Sequence, residues 1–147
     1  MSDFSATTAF RLVRRLAMGQ GSTAMYLLVY EEGAQSSIEA DLSAEVEVQL
    51  SSSLPMGRVS EMLDHGEALG LADAGSIRVL RIDRWSPELV VLLDTHVIRL
   101  EQTGAQFLFL ATPALAEQLL VEAPNFRNRL TEVLRIVPDD PSAGGPH

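Results

Sequence analysis

A chain of 147 residues, 46% of them hydrophobic, has the size and composition of one globular domain, and its net charge of −9 sets it against phosphate backbones. It contains no cysteine and no lysine. Thiol nucleophiles, disulfides, cysteine-held zinc, iron–sulfur clusters, Schiff-base lysines and P-loop lysines are therefore excluded.

No apolar run approaches the roughly 20 residues that span a bilayer, and residues 1–8 lack the basic start and apolar core of a signal peptide. The expectation is a cytoplasmic protein that engages neither membrane nor nucleic acid and carries no cofactor. One local exception to the acidic balance is Arg11, Arg14 and Arg15, the best candidate for a basic patch.

Residues 1–6 read as a flexible start, 7–137 as a single domain and 138–147 as a disordered Pro- and Gly-rich tail. From Thr7 to Met18 the pattern is helical, with Phe10, Val13, Leu16 and Ala17 on one face and the three arginines on the other. Gly19, Gln20 and Gly21 stop it. Met25 to Tyr30 is a continuous apolar run and reads as a buried strand. After a turn at Gly33, Ser36 is positioned as an N-cap with Glu39 closing a capping box. Ile38, Leu42, Val46 and Leu50 then form the clearest amphipathic stripe in the chain.

Residues 51–75 read as a loop-rich excursion. Ile77 to Ile82 alternates as a strand. Ser86, Pro87 and Glu88 mark a helix start, with Leu89, Leu92, Leu93, His96, Val97 and Leu100 facing inward. Gln106 to Leu110 is another apolar strand. Thr112 and Pro113 open a helix reaching Glu122, Asn125 to Leu130 supply a further turn, and Thr131 to Val137 is a last strand.

Strands alternating with helices predict parallel pairing, because parallel strands need long crossovers. The expected fold is α/β: a small, mostly parallel sheet of about four strands flanked by helices, in a Rossmann-like layout without a nucleotide-binding motif. Gly19-Gln20-Gly21-Ser22 lies between a helix and a strand, the reverse of a phosphate-cradling order. The loop at 31–37 does follow a strand, but it carries two carboxylates and one glycine.

His65, His96 and His147 show no metal-ligand spacing, and no nucleophile motif accompanies them. No catalytic, metal or cofactor residues are therefore assigned. Features that suit binding are Trp85, the only tryptophan, which reads as a partner anchor or as a lid on the core, and the stretch Phe126, Arg127, Asn128, Arg129, which reads as a hot spot or as a helix end with cations near its C-terminus. Trp85, Phe126, Arg127 and Arg129 are the candidate interaction residues.

Leu93-Asp94, Arg99-Leu100, Phe107-Leu108-Phe109-Leu110, Pro113 with Leu115-Ala116, and Glu122-Ala123-Pro124-Asn125-Phe126 with Arg129 together resemble a known pattern. It is that of α/β modules accompanying bacterial STAND-type signalling ATPases with TPR repeats. The resemblance covers residues 93–136 and implies a P-loop-like α/β module in bacterial signalling or defence. Asn125 stands where that family tends to have aspartate, and no Walker motif is present, so the resemblance carries no ATPase role.

The expected function is a non-catalytic protein–protein interaction module, an adaptor or regulatory partner binding another protein or itself. The alternative is a small enzyme or small-ligand sensor with its site at the carboxyl ends of the strands. That site would draw on loops 31–37, 83–86 and 111–113, with Glu31, Asp83 or His65 as its candidates.

Overall fold

A computed structural model describes residues 5–18, 24–51, 56–58, 77–83, 85–102 and 105–138. In chain order the elements are β1 (Ser5–Thr8), α1 (Ala9–Met18), β2 (Ala24–Val29), α2 (Gln35–Leu50), β3 (Met56–Arg58), β4 (Ile77–Arg81), α3 (Pro87–Gln102), β5 (Gln106–Ala111), α4 (Pro113–Glu122), α5 (Pro124–Arg129) and β6 (Glu132–Val137). The strands form one sheet in the order β1-β6-β2-β5-β4-β3. Every pairing is parallel, with Leu27 opposite Phe109, Leu28 opposite Leu134 and Val79 opposite Leu108.

The α/β class and the parallel pairing follow the reading of the sequence. The strand number does not: the four expected strands form the middle of the sheet, and β1 and β3 extend it at the two edges. Ser5 and Ala6, expected to be frayed, are paired in register with Leu134 and Arg135. Thr7 belongs to β1 and the first helix begins at Ala9. Met56–Arg58, inside the expected excursion, is β3. Apart from Ser51 and this strand, the 51–75 segment lies outside the described residues, as do the 139–147 part of the tail and residues 1–4.

Side chains alternate across a strand, and the two faces are buried under different helices. Met25, Leu27, Val29, Phe107 and Phe109 face α3, α4 and α5, where Leu89, Leu93, Leu119 and Phe126 meet them. Tyr26, Leu28, Leu108, Leu110 and Ile136 face α1 and α2, packing on Leu12, Leu16, Ile38, Leu42 and Val46. The stripe expected along 38–50 therefore does cover the sheet, with Leu50 at its margin only partly buried.

Helix starts show where local signals hold and where they yield. Leu89 N donates to Ser86 Oγ at 3.1 Å, so the expected cap of α3 forms. At α2 the Ser36–Glu39 capping box does not form. The N-cap is Ala34, with no side-chain bond, and Glu39 is drawn instead to Arg81.

Phe126 is fully buried and meets Phe109 edge-on, with ring centroids 4.9 Å apart and planes at 83°. Phe126→Ala is expected to lower unfolding free energy by about 3–5 kcal/mol through lost burial and a residual cavity. Val48→Ala, at an exposed position of α2, is expected to change it by less than about 0.5 kcal/mol. Urea denaturation of both variants checks the contrast.

Candidate functional site

In an open α/β sheet ligands gather at the carboxyl ends of neighbouring strands whose connections depart to opposite faces. Here those strands are β2 and β5: α2 follows β2 on one face and α4 follows β5 on the other. The ends are stitched together, because Tyr30 N donates to Ala111 O at 3.1 Å and Ile82 N to Leu110 O at 2.8 Å. Ala34 N donates to Glu31 O at 3.0 Å across a turn. Gly33 sits at its third position with φ of 90°, which suits the type II geometry that favours glycine.

A chain of polar side chains closes this end beneath α2. Tyr30 Oη donates to Gln35 Oε1 at 3.2 Å, and Gln35 Nε2 donates to Glu39 Oε2 at 3.0 Å. Arg81 grips the Glu39 carboxylate with two donors, Nε to Oε2 and Nη2 to Oε1, the latter at 3.1 Å. Burial raises the Tyr30 hydroxyl above its ordinary pKa. Glu39 adds to the rise, Arg81 opposes it, and Asp83 and Glu32 add further negative potential. Tyr30 is thus held as a neutral donor. The cluster acts as a clamp joining the carboxyl end of β2 and α2 to the end of β4. Glu31, Glu32 and Asp83 stand exposed at this end.

A second polar junction involves residues that carry the resemblance noted above. Asp94 on α3 accepts from Asn125 N at 2.8 Å, Asn125 Nδ2 at 3.1 Å and Phe126 N at 3.2 Å. It caps the first turn of α5, whose amides have no partner within the helix. Leu93, Phe107, Phe109 and Phe126 lie behind it in the core. These residues of the pattern are packing and capping residues.

The candidate interaction residues separate in space. Phe126 is core, not surface, which corrects its place among the candidate interaction residues: Asp94 caps the first turn of α5, and the aromatic packs edge-on against Phe109. Arg127 and Arg129 remain exposed on α5. Trp85 is half-buried against the core on the α3 side. Asp83 is exposed. His65, His147 and the side chain of His96 lie outside the described residues. Among the described residues, no three histidine, aspartate or glutamate side chains group as a metal site, and no helix is long and apolar enough to cross a membrane.

Among the described residues, the outer arc of α1 places two exposed large apolar side chains beside arginines. Ala9, Leu12, Val13 and Leu16 are buried. At roughly 100° per residue, Phe10, Arg14, Met18, Arg11 and Arg15 follow one another around the opposite side. Phe10 is 47% and Met18 84% exposed. Phe10, expected to face inward, lies outside the buried arc because that arc centres on Ala9, Leu12, Val13 and Leu16, and the sequence pattern alone had left out Leu12. The helix is anchored through its flanks. Arg15 Nη1 donates to Glu132 Oε1 at 2.8 Å and its guanidinium lies 6.0 Å from the centre of the Tyr26 ring. Gln49 Nε2 on α2 donates to Phe10 O at 3.1 Å. Among the described residues, no carboxylate pairs with Arg11 or Arg14.

No known protein family matches this chain, and none of the curated proteins does.

Two consequences are measurable. The folded chain holds the Tyr30 proton more tightly than the unfolded chain. The resulting stability is present below about pH 10, the ordinary tyrosine value, and is lost as pH rises through the higher folded value. Tyr30→Phe should cost about 1 kcal/mol at neutral pH by removing one hydrogen bond and should flatten the loss of stability above pH 10. Thermal unfolding across pH checks both. Asp94→Ala should cost about 1–2 kcal/mol by uncapping α5, read by urea denaturation.

Proposed function

We propose that this domain is a non-catalytic protein–protein interaction module, a cytoplasmic adaptor or regulatory partner, that engages another protein through the outer arc of α1. The carrying observation is the exposure of Phe10 and Met18 beside Arg11 and Arg14 on a helix whose inner side is locked into the core. Aromatic side chains, methionine and arginine are the types enriched at interfaces. A helix already fixed by Leu12, Val13 and Leu16 presents them with little ordering entropy left to lose on binding. The resemblance of residues 93–136 to modules beside STAND-type ATPases supports a place in bacterial signalling or defence, as a fold-level analogy.

The test is size-exclusion chromatography with light scattering on the full chain, alone and mixed with proteins encoded beside it. The expected result is a stoichiometric complex that is weakened at least about tenfold by Phe10→Ser with Met18→Ser, the loss expected when anchor residues are truncated, while circular dichroism stays unchanged. A chain that binds no neighbour, or a complex indifferent to the double substitution, overturns the proposal.

A further inference from the structure

We infer that the outer arc of α1 docks an acidic, amphipathic segment of a partner protein, whose carboxylates meet Arg11 and Arg14 and whose apolar side chains meet Phe10 and Met18. The inference rests on the interaction reading above and names the chemistry of the partner.

Charge points to that occupant. The chain carries −9 overall, yet α1 holds three of its arginines in ten residues and no acidic residue. Arg15 is engaged by Glu132. Arg11 and Arg14 are exposed and lie three residues apart, so they are neighbours on the helix surface. Two carboxylates one helical turn apart on a facing segment match that spacing. Arginine forms two-pronged bonds to carboxylates, which adds geometric selectivity to attraction.

The flanking side chains decide between classes of occupant. Phe10 and Met18 bracket Arg14 along the arc at four-residue spacing and offer apolar contact that a phosphate backbone does not use. Nucleic-acid-binding domains carry a net basic footprint, whereas this arc belongs to a chain of net charge −9. The apolar stripe of α1 is buried under its own sheet, so it is not available to insert into a bilayer. A second copy meeting α1 face to face would bring the Arg11 and Arg14 pairs of both copies together, a like-charge juxtaposition that disfavours that contact. An acidic protein segment satisfies both the cations and the apolar pair.

The experiment is fluorescence anisotropy with the full chain and a labelled synthetic helical peptide in which leucine and glutamate alternate in helical register. The comparison probes are the same peptide with every Glu replaced by Gln, a single-stranded oligonucleotide, and phosphatidylglycerol vesicles. The Glu peptide is expected to bind saturably and more weakly as salt rises. It should lose about tenfold in affinity in the double variant R11E/R14E, the scale of two reversed exposed charges. F10S/M18S should weaken it as well. Both positions are exposed, and circular dichroism confirms that the variants fold.

Equal binding of the Glu and Gln peptides, unchanged affinity of R11E/R14E, or tighter binding of the oligonucleotide or vesicles overturns the inference. Repeating the chromatography with the neighbour-encoded partner separates the two claims. A complex broken by F10S/M18S but intact in R11E/R14E leaves the interaction module standing and removes the acidic segment. No complex with any neighbour removes the interaction reading itself.

Discussion

Strands β2 and β5 run side by side in the same direction, and every residue from Met25 to Val29 and from Gln106 to Ala111 is buried. Two neighbouring strands that are dry on both faces need apolar cover above and below, because parallel sheets lack the solvated face that antiparallel sheets often keep. The rest of the domain follows from meeting that need. Helices α1 and α2 cover the face holding Tyr26 and Leu28, and α3, α4 and α5 cover the face holding Leu27 and Phe109. The central strands also fix where the chain leaves the sheet, and so where the polar clamp of Tyr30, Gln35, Glu39 and Arg81 closes its end.

The parts legible in the sequence were those whose signal is local or periodic. The runs at 25–30 and 106–110 announce dry strands, the 38–50 spacing announces a covering helix, and Ser86-Pro87-Glu88 announces a helix start. The edges of the sheet were not legible. β1 is Ser-Ala-Thr-Thr and β3 is Met-Gly-Arg, each too short to show alternation, and each exists because a neighbouring strand supplies its hydrogen bonds. The Ser36–Glu39 cap failed for a related reason: a partner 42 residues away, Arg81, competes for the same carboxylate. Nothing within one turn of α2 carries that information.

The same distinction applies to the binding surface. An aromatic among arginines at 126–129 reads as a binding hot spot or as a helix end with cations, yet Asp94, 32 residues earlier, caps α5, and Phe126 lies buried in the core. The outward crowding of arginines on α1 was readable from spacing. The exposure of Phe10 is readable as well once Leu12 is counted with Ala9, Val13 and Leu16, because that moves the centre of the apolar arc away from Phe10. Leu93, Phe107, Phe109 and Phe126 hold core positions and Asp94 a cap, and such positions report packing more directly than chemistry. The basic arc on α1 is independent of that pattern and lies on the opposite face of the sheet from α3, α4 and α5.

The most direct test of the dry central pair is native-state hydrogen exchange of the backbone amides. The structure predicts that amides of Met25–Val29 and Phe107–Ala111 exchange only through global unfolding, while those of β1 and β3 exchange faster through local opening at the edges. Central amides exchanging as fast as those of β1 would contradict the arrangement and everything positioned by it.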